Sequence, residues 1–280
     1  MFNIKKLISS KLNKILSNSQ GIVFEFLFNL KSMLLKTPNR IEFLSSEGYY
    51  QLKDISNPTQ PLLIFYHEHQ AAQAYARGLE FRATALGQSY FLDEIIFAKD
   101  DLVIDCGANV GDLFFWFKHR GLEINYLAFE PSIKEFKCLK ENIFPHKPVN
   151  QALWCEHADI NFYLNSQDAD SSLIQPEEYD EVQPIKAIPL NSIITSDIKL
   201  LKLEAEGAEP EVIQGAGSKI EFIEFISADL GFERGPSKDS TFIEVTNYLL
   251  NHNFVLLKFS EKRRCALFRN KKYFKLDATS

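Results

Sequence analysis

A chain of 280 residues that is 45% hydrophobic and 24% charged has enough apolar side chains to bury a large core. Its net charge of −6 gives no general case for binding nucleic acid. The charge is uneven, because residues 1–40 hold seven Lys or Arg and one acid, Glu25, which leaves −12 for the remainder. The composition therefore predicts a folded, acidic body with a basic N-terminal arm.

The cysteines and the apolar runs indicate where such a protein works. The four cysteines are scattered, with no CxxC or Cys/His pairing that suggests zinc. No apolar run approaches the roughly 18–20 residues of a membrane span, and Ser, Asn and Lys interrupt the apolar residues near the N-terminus. We therefore expect a cytoplasmic protein, which could also lie peripherally at the inner face of the membrane.

The first 75 residues read as a helical and small β extension, followed by one larger domain over residues 76–280. Residues 2–16 repeat isoleucine and leucine at helical spacing, with lysines largely off that stripe. This helix either packs on the body or a partner, or lies on an anionic membrane surface, so residues 1–35 are a candidate peripheral contact. A second helix is predicted over 22–35, a strand over 62–66 and a helix over 67–78.

From about residue 100 strands and helices alternate, which favours an α/β fold with a mostly parallel sheet covered by helices on both faces. The last two strands are joined by a link too short for a helical crossover, so they should pair antiparallel. The strands are predicted over residues 102–105, 125–130, 148–154, 199–205, 221–228, 254–260 and 264–270, with an extra strand over 159–164.

The turn after the first of these strands, 105-DCGANVG-111, is typical of a nucleotide site at the carboxyl end of a parallel sheet. Glu130 ends the next strand, 19 positions beyond Gly111, where an acid can accept both hydroxyls of a ribose. A dinucleotide fingerprint reads GxGxxG, but Asn109 occupies the second glycine position here. An acid beside the turn, Asp105, suits a cationic ligand better than a pyrophosphate. The pattern favours S-adenosylmethionine over NAD.

Four linked motifs extend this interpretation: VIDCGANVGD, LAFEP, VNQALW and LLKLEAEGAEPEVIQGA. Together they resemble the FkbM family of S-adenosylmethionine-dependent O-methyltransferases, over about residues 76–270. The resemblance implies a class I methyltransferase (Rossmann-like) fold, with a seven-stranded, mostly parallel sheet whose last strand is antiparallel. It also implies transfer of a methyl group to a hydroxyl, in this case of a sugar in a surface polysaccharide or glycolipid.

The resemblance also implies which residues hold the cofactor. The glycine turn would cradle the methionine portion, Glu130 the ribose, and the third strand would lie near the adenine. Tyr90 precedes the first strand and could reach the same ligand. The expected set is Tyr90, Asp105, Gly107, Ala108, Asn109, Gly111, Glu130, Pro131, Asn150, Ala152 and Leu153.

The candidate catalytic residues are the three acids of KLEAEGAE, namely Glu204, Glu206 and Glu209. A hydroxyl acceptor benefits from a general base, and these acids follow the fourth strand beside the cofactor. Glu204 stands where the family commonly has Asp, and Cys106 replaces an aliphatic residue. One acid could instead contact the cofactor or cap the next helix, and no metal is expected.

Two other functions remain open at this point: an NAD(P)-linked Rossmann oxidoreductase and a non-catalytic S-adenosylmethionine-binding protein. The expected partner is a sugar or another hydroxyl-bearing acceptor, and nucleic acid is not expected. The sequence does not indicate an oligomeric state.

Overall fold

The computed structural model describes residues 15–16, 18–55, 57–75, 77–165 and 171–274. Most of the helix predicted over residues 2–16, and part of the loop predicted over 165–176, lie outside these ranges. The described chain begins with an N-terminal layer of one helix, an antiparallel three-stranded sheet and a short second helix. Its elements are α1 (Gly21–Leu35), β1 (Asn39–Leu44), β2 (Tyr49–Asp54), β3 (Asn57–Phe65) and α2 (Glu68–Ala74).

A six-stranded sheet forms the centre of the rest of the chain. Its strands are β4 (Leu102–Cys106), β5 (Asn125–Phe129), β9 (Ile198–Leu203), β10 (Ile223–Asp229), β13 (Phe254–Phe259) and β14 (Cys265–Asn270), in the order β13-β14-β10-β9-β4-β5. The pairs among β5, β4, β9 and β10 are parallel, whereas β14 is antiparallel to both β10 and β13. The predicted mostly parallel α/β sheet with an antiparallel strand near its end is confirmed.

The third predicted strand, over residues 148–154, contributes only one residue to this sheet. Val149 makes an isolated parallel bridge to Phe129, and the chain then leaves the sheet. Pro148 has no N–H to extend the ladder, and the Asn150 side chain donates to the backbone carbonyls of Glu130 and Pro131 instead. The prediction of one continuous strand across 148–154 is therefore wrong in extent.

The residues that follow form a separate small sheet. Its strands are β6 (Ala152–Trp154), β7 (Ala158–Leu164) and β8 (Glu181–Pro189), in the order β6-β8-β7. A two-stranded ribbon, β11 (Phe232–Arg234) and β12 (Asp239–Ser240), follows β10. The remaining helices are α3 (Leu79–Ser89), α4 (Phe114–His119), α5 (Ile133–Asn142), α6 (Glu209–Gln214) and α7 (Phe242–Asn251), with 3₁₀ turns at Leu92–Glu94, Leu190–Ser192, Gly217–Phe222 and Lys271–Tyr273.

Two apolar cores cover the two faces of the central sheet. One joins the N-terminal layer to α3, α4 and α5 through residues such as Phe24, Tyr50, Leu86 and Phe117. The other joins α6 and α7 to the opposite face. Every residue of β10 is buried, including the polar side chains of Glu224, Ser227 and Asp229, as expected of a strand that is covered on both faces. The N-terminal layer thus shares a core with the sheet, and the boundary at residue 75 stays a prediction.

Among the residues that the structure describes, no helix is both long enough and apolar enough to cross a membrane.

Candidate active site

A cavity of about 590 Å³ opens at the carboxyl ends of β4, β5 and β9, where an open α/β sheet binds its ligands. Its volume lies in the range of cofactor and small-molecule sites. Most of the residues predicted for the site line it together: Tyr90, Asp105, Gly107, Ala108, Asn109, Glu130, Pro131, Ala152, Leu153, Glu204 and Glu206. Cys106 also lines the cavity and is 4% exposed, as expected for a packing residue.

The glycine turn brings β4 and β9 into close contact. Gly107 has φ 71°, and a Cβ atom there would lie 1.9 Å from the backbone oxygen of Glu204. Asn109 also has a left-handed conformation, with φ 50°, and its side-chain oxygen accepts a hydrogen bond from the N–H of Val110. Position 107 therefore requires glycine for both its conformation and its space.

Two predicted residues act behind the cavity wall and do not line it. A Cβ atom on Gly111 would lie 2.7 Å from Ile143 and 2.8 Å from Leu139, so this glycine allows α5 to pack closely against the turn. The side-chain amide of Asn150 binds the carbonyls of Glu130 and Pro131 at 2.8 and 2.9 Å. Both residues support the shape of the site without facing its interior.

Glu130 has the geometry expected of a ribose-binding acid. Its two carboxylate oxygens accept the backbone N–H groups of Asn109 and Ser132, each at 2.8 Å, and the residue is 7% exposed. Each oxygen keeps a further lone pair for a ligand hydroxyl. Burial, followed by the nearby Glu135 carboxylate, raises the pKa of Glu130 to about 8. A buried acid fixed by two backbone donors fits the two hydroxyls of a nucleoside.

A buried cation, Lys202, organises the floor of the cavity. Its ammonium lies 3.0 Å from an oxygen of Asp105 and 3.0 Å from an oxygen of Glu204. It also donates to the backbone carbonyls of Cys106, at 3.2 Å, and Gly107, at 2.8 Å. The Tyr126 hydroxyl donates to the other oxygen of Asp105. One lysine thus ties β9 to the end of β4 and to the glycine turn.

Lys202 acts to lower the pKa of both acid partners, but the net shift differs between them. Burial raises the pKa of Asp105 above its ordinary value, although Lys202 and the Tyr126 hydroxyl oppose the increase. Burial also acts to raise the pKa of Glu204, but Lys202 and the neighbouring Tyr90 hydroxyl outweigh it, so the pKa lies below its ordinary value. A carboxylate that is held ionised beside a cation is a weak proton acceptor.

The three acids of KLEAEGAE do not converge on one point. Glu206 lines the cavity with φ 48°, and its carbonyl accepts the Ser172 hydroxyl at 2.7 Å. Glu209 is 1% exposed, and one of its oxygens accepts the N–H groups of Ala205 and Gly207 at 2.8 and 3.2 Å. Its other oxygen accepts the Thr241 hydroxyl at 3.0 Å.

Glu209 therefore holds the loop after β9 at the start of α6. It does not line the cavity, so the expectation that it is a candidate base is corrected. This is the capping alternative that the sequence left open, because the carboxylate accepts local backbone N–H groups. In the described part of the chain, no group of three or more His, Cys, Asp or Glu is arranged to hold a metal ion.

Sequence reasoning did not identify several polar residues of the cavity. Lys202 could have been found, because a lysine between leucines in a largely apolar strand is expected to be buried and paired. Arg82 and Asp112 form an ion pair at 2.6 Å between α3 and the start of α4, and no short motif connects them. The residues in this group that line the cavity are Arg82, Asp112, Glu135, Lys202 and Arg263.

Glu135 connects the cavity to the N-terminal layer. Its carboxylate lies 2.6 Å from Nε2 of His67 and also accepts the Ser132 hydroxyl. Burial acts to raise the pKa of Glu135, but the hydrogen bond and charge of His67 outweigh it, so the pKa lies below its ordinary value. His67 directly precedes α2, whose last residue, Ala74, lines the cavity. The extension thus supplies part of the wall.

Comparison with known proteins agrees with this geometry. The family model for the methyltransferase FkbM domain matches residues 105–256, which is more than half of the chain. No curated protein matches.

Among solved structures, three bacterial methyltransferases illustrate the similarity that is found. An S-adenosylmethionine-dependent methyltransferase from Aquifex aeolicus is 9% identical, with 67% of this chain and 95% of that chain covered and a TM-score of 0.40. A TehB-like methyltransferase from Corynebacterium glutamicum is 11% identical, with 69% and 95% covered and a TM-score of 0.40. A ribosomal protein L11 methylase from Lactobacillus delbrueckii subsp. bulgaricus is 10% identical, with 73% and 81% covered and a TM-score of 0.38.

The NAD(P)-linked alternative is set aside, since the residues that the family model covers include the glycine turn, Glu130 and the loop after β9. The glycine turn, the doubly anchored Glu130 and the acid-lined floor fit S-adenosylmethionine, which is the cofactor of this site. The chain belongs to the FkbM-domain family of methyltransferases and has an α/β, class I methyltransferase fold.

Proposed function

We propose that this enzyme methylates a hydroxyl group of a sugar or a similar polyol. The observation that carries the proposal is the polar character of the cavity lining beyond the cofactor-binding set. Arg82, Ser171, Glu206 and Arg263 offer both donors and acceptors for hydroxyl groups. Phe162 in the same lining offers an apolar surface for the carbon face of a sugar ring. A hydroxyl-rich acceptor fits this mixture.

The chemistry assigns different tasks to Glu204 and Glu206. Bound S-adenosylmethionine supplies an electrophilic methyl carbon, so the protein has to orient the acceptor oxygen and remove its proton. Glu204 is held ionised against Lys202, 3.0 Å away, and therefore acts as a fixed negative charge on the floor. We assign proton removal to Glu206, the remaining acid of the loop that lines the cavity.

The test combines binding with turnover. Calorimetric titration with S-adenosylhomocysteine measures the affinity of the cofactor site. Turnover is measured as the formation of S-adenosylhomocysteine from S-adenosylmethionine, with a panel of sugars, glycolipids and other hydroxyl compounds as acceptors. Glu206→Gln should leave the affinity for S-adenosylhomocysteine unchanged and lower kcat by roughly 10²–10⁴-fold. Glu178→Gln, the same change at an exposed acid, should leave both unchanged. Cofactor binding with no turnover on any acceptor would instead favour a non-catalytic binding protein.

The cellular counterpart of this test is a comparison of surface glycans. Cells with and without the gene should differ by one glycan that lacks a single methyl group, as measured by mass spectrometry. We further propose that the reaction takes place in the cytoplasm and does not use nucleic acid. The four free cysteines, three of them buried, suit a reducing compartment, and the net charge of −6 disfavours a polyanionic partner.

A further inference from the structure

The first described helix, α1, exposes large apolar side chains along its outer face. Ile22 is 70% exposed, Phe26 66% and Met33 61%, and Val23 and Leu34 are also at least half exposed. Soluble proteins rarely leave a contiguous apolar surface of this kind without a partner.

These side chains form one continuous stripe. At 100° per residue, positions 22, 23, 26, 30, 33 and 34 all fall within about one third of the helix circumference. The opposite side of α1 packs into the protein through Phe24 and Phe28, which are 0% and 1% exposed. The packing of the inner side therefore explains why this helix folds onto the protein. It does not explain why the outer stripe is apolar.

The net charge of the N-terminal sequence indicates which partner the stripe meets. Residues 1–14 carry four lysines and no acid, and α1 ends at the exposed Lys36. The only acid of the first 40 residues is Glu25, whose carboxylate accepts the backbone N–H of Phe43 at 2.9 Å. The remainder of the chain carries −12. An anionic surface would attract this end of the protein and repel the rest.

We propose that the outer stripe of α1 docks on an anionic lipid surface. An apolar stripe flanked by lysines is the pattern of an interfacial helix, whose side chains enter the boundary between headgroups and acyl chains. A second protein surface would need an apolar patch with acidic flanks. The lipid surface supplies both features in one partner.

The structure also connects the stripe to the cavity. Lys31 on the inner side of α1 donates to the carbonyl of Ala72 in α2, at 3.3 Å. Ala74, the last residue of α2, lines the cavity. Docking through α1 therefore places the cavity one helix away from the lipid surface. This inference goes beyond the proposed function and does not depend on it, because it concerns binding alone.

The test is flotation of the full-length protein with vesicles of phosphatidylcholine alone or mixed with phosphatidylglycerol. The unchanged protein should float with the mixed vesicles and much less with the neutral ones. The double substitution Ile22→Glu with Phe26→Glu should weaken this binding at least about a hundredfold, because two apolar side chains that enter the lipid surface are lost. The matched control is Ile243→Glu on α7, a residue 71% exposed, and it should bind as the unchanged protein does.

A second variant tests the charges without altering any described residue. Replacing Lys5, Lys6, Lys11 and Lys14 with Gln should reduce binding to mixed vesicles and make the remainder less sensitive to salt. Failure of the unchanged protein to float, or equal loss in the Ile243→Glu control, would overturn the proposal. A dimer in lipid-free solution that Ile22→Glu with Phe26→Glu dissociates would also overturn it, since a second copy would then be the partner.

Discussion

Replacing Lys202 with Met tests whether one buried ammonium holds the floor of the site together. Methionine keeps the length and most of the volume of the side chain but removes its charge. Asp105, which is 0% exposed, would then lose a cation 3.0 Å away, and Glu204 would lose one at the same distance. The carbonyls of Cys106 and Gly107 would also lose a donor.

The expected loss in the free energy of unfolding follows from these contacts. A unit charge pair at 3.0 Å is attracted by roughly 5 kcal/mol at an effective dielectric constant of about 20. The Glu204 contact contributes less, because that side chain is one third exposed and water screens it. The desolvation of Lys202 offsets part of the total, and removing one member of a buried pair typically costs about 3–5 kcal/mol. We expect a loss of that size in the free energy of unfolding.

Denaturant unfolding measures this loss, and its pH dependence identifies its cause. The pKa of Lys202 lies above its ordinary value, so its stabilising contribution is present throughout the neutral range and is lost only as the pH rises through that pKa. In Lys202→Met the uncompensated Asp105 must ionise as the pH rises. The difference in stability between the two proteins should therefore be larger at about pH 8.5 than at about pH 6.

Two further variants test whether the loss comes from the buried charge of Lys202. Lys186→Met removes an exposed partner, 74% accessible and 3.6 Å from Asp159, and should cost less than about 1 kcal/mol. Adding Asp105→Asn to Lys202→Met should restore part of the lost stability, because the buried negative charge is removed as well. A loss no larger than that of Lys186→Met, or a double variant whose losses simply add, would refute the role given to Lys202.

Three other changes test individual parts of the site. Gly107→Ala should abolish binding of S-adenosylhomocysteine, because the added Cβ would lie 1.9 Å from the backbone oxygen of Glu204. Gly121 also has a positive φ, 67°, but has open space around it, so Gly121→Ala controls for backbone strain alone. Burial raises the pKa of Glu130 to about 8, so titration calorimetry should show cofactor affinity increasing about tenfold from pH 7 to pH 9, and Glu130→Gln should remove this dependence. Glu206→Gln should lower kcat alone, whereas Glu209→Gln should lower the melting temperature, since its buried oxygens accept three hydrogen bonds.

The central sheet was predictable because its strands are buried on both faces. Largely apolar runs mark β4 and β9, and the short link before β14 excludes a crossover. The small sheet was harder to predict. The prediction missed β8 (Glu181–Pro189), because Pro184 interrupts it and because its first residues, Glu181 and Val182, are exposed. Its pairing with β6 depends on the chain leaving the main sheet after Val149, which no local pattern indicates.

The site was predictable where one short segment supplies several groups. The glycine turn and Glu130 follow consecutive strands, so the motif places them together. The interactions across elements were not predictable, because Arg82 meets Asp112 and His67 meets Glu135 through the packing of separate helices. Gly111 shows the opposite case, where the motif identifies the residue but only the packing of α5 explains it.

Lys202 gives a physical reason for Glu204 at a position where the family commonly has Asp. The longer side chain reaches the ammonium at 3.0 Å, and this pairing keeps the carboxylate ionised. An acid used in this way neutralises a buried cation and cannot also serve well as the base. In the proposed division of labour, Glu204 fixes charge, Glu209 fixes the loop, and Glu206, which lines the cavity, accepts the proton. The proposed base is thus chosen by two observations: which acids of the motif line the cavity, and which of these a buried cation holds ionised.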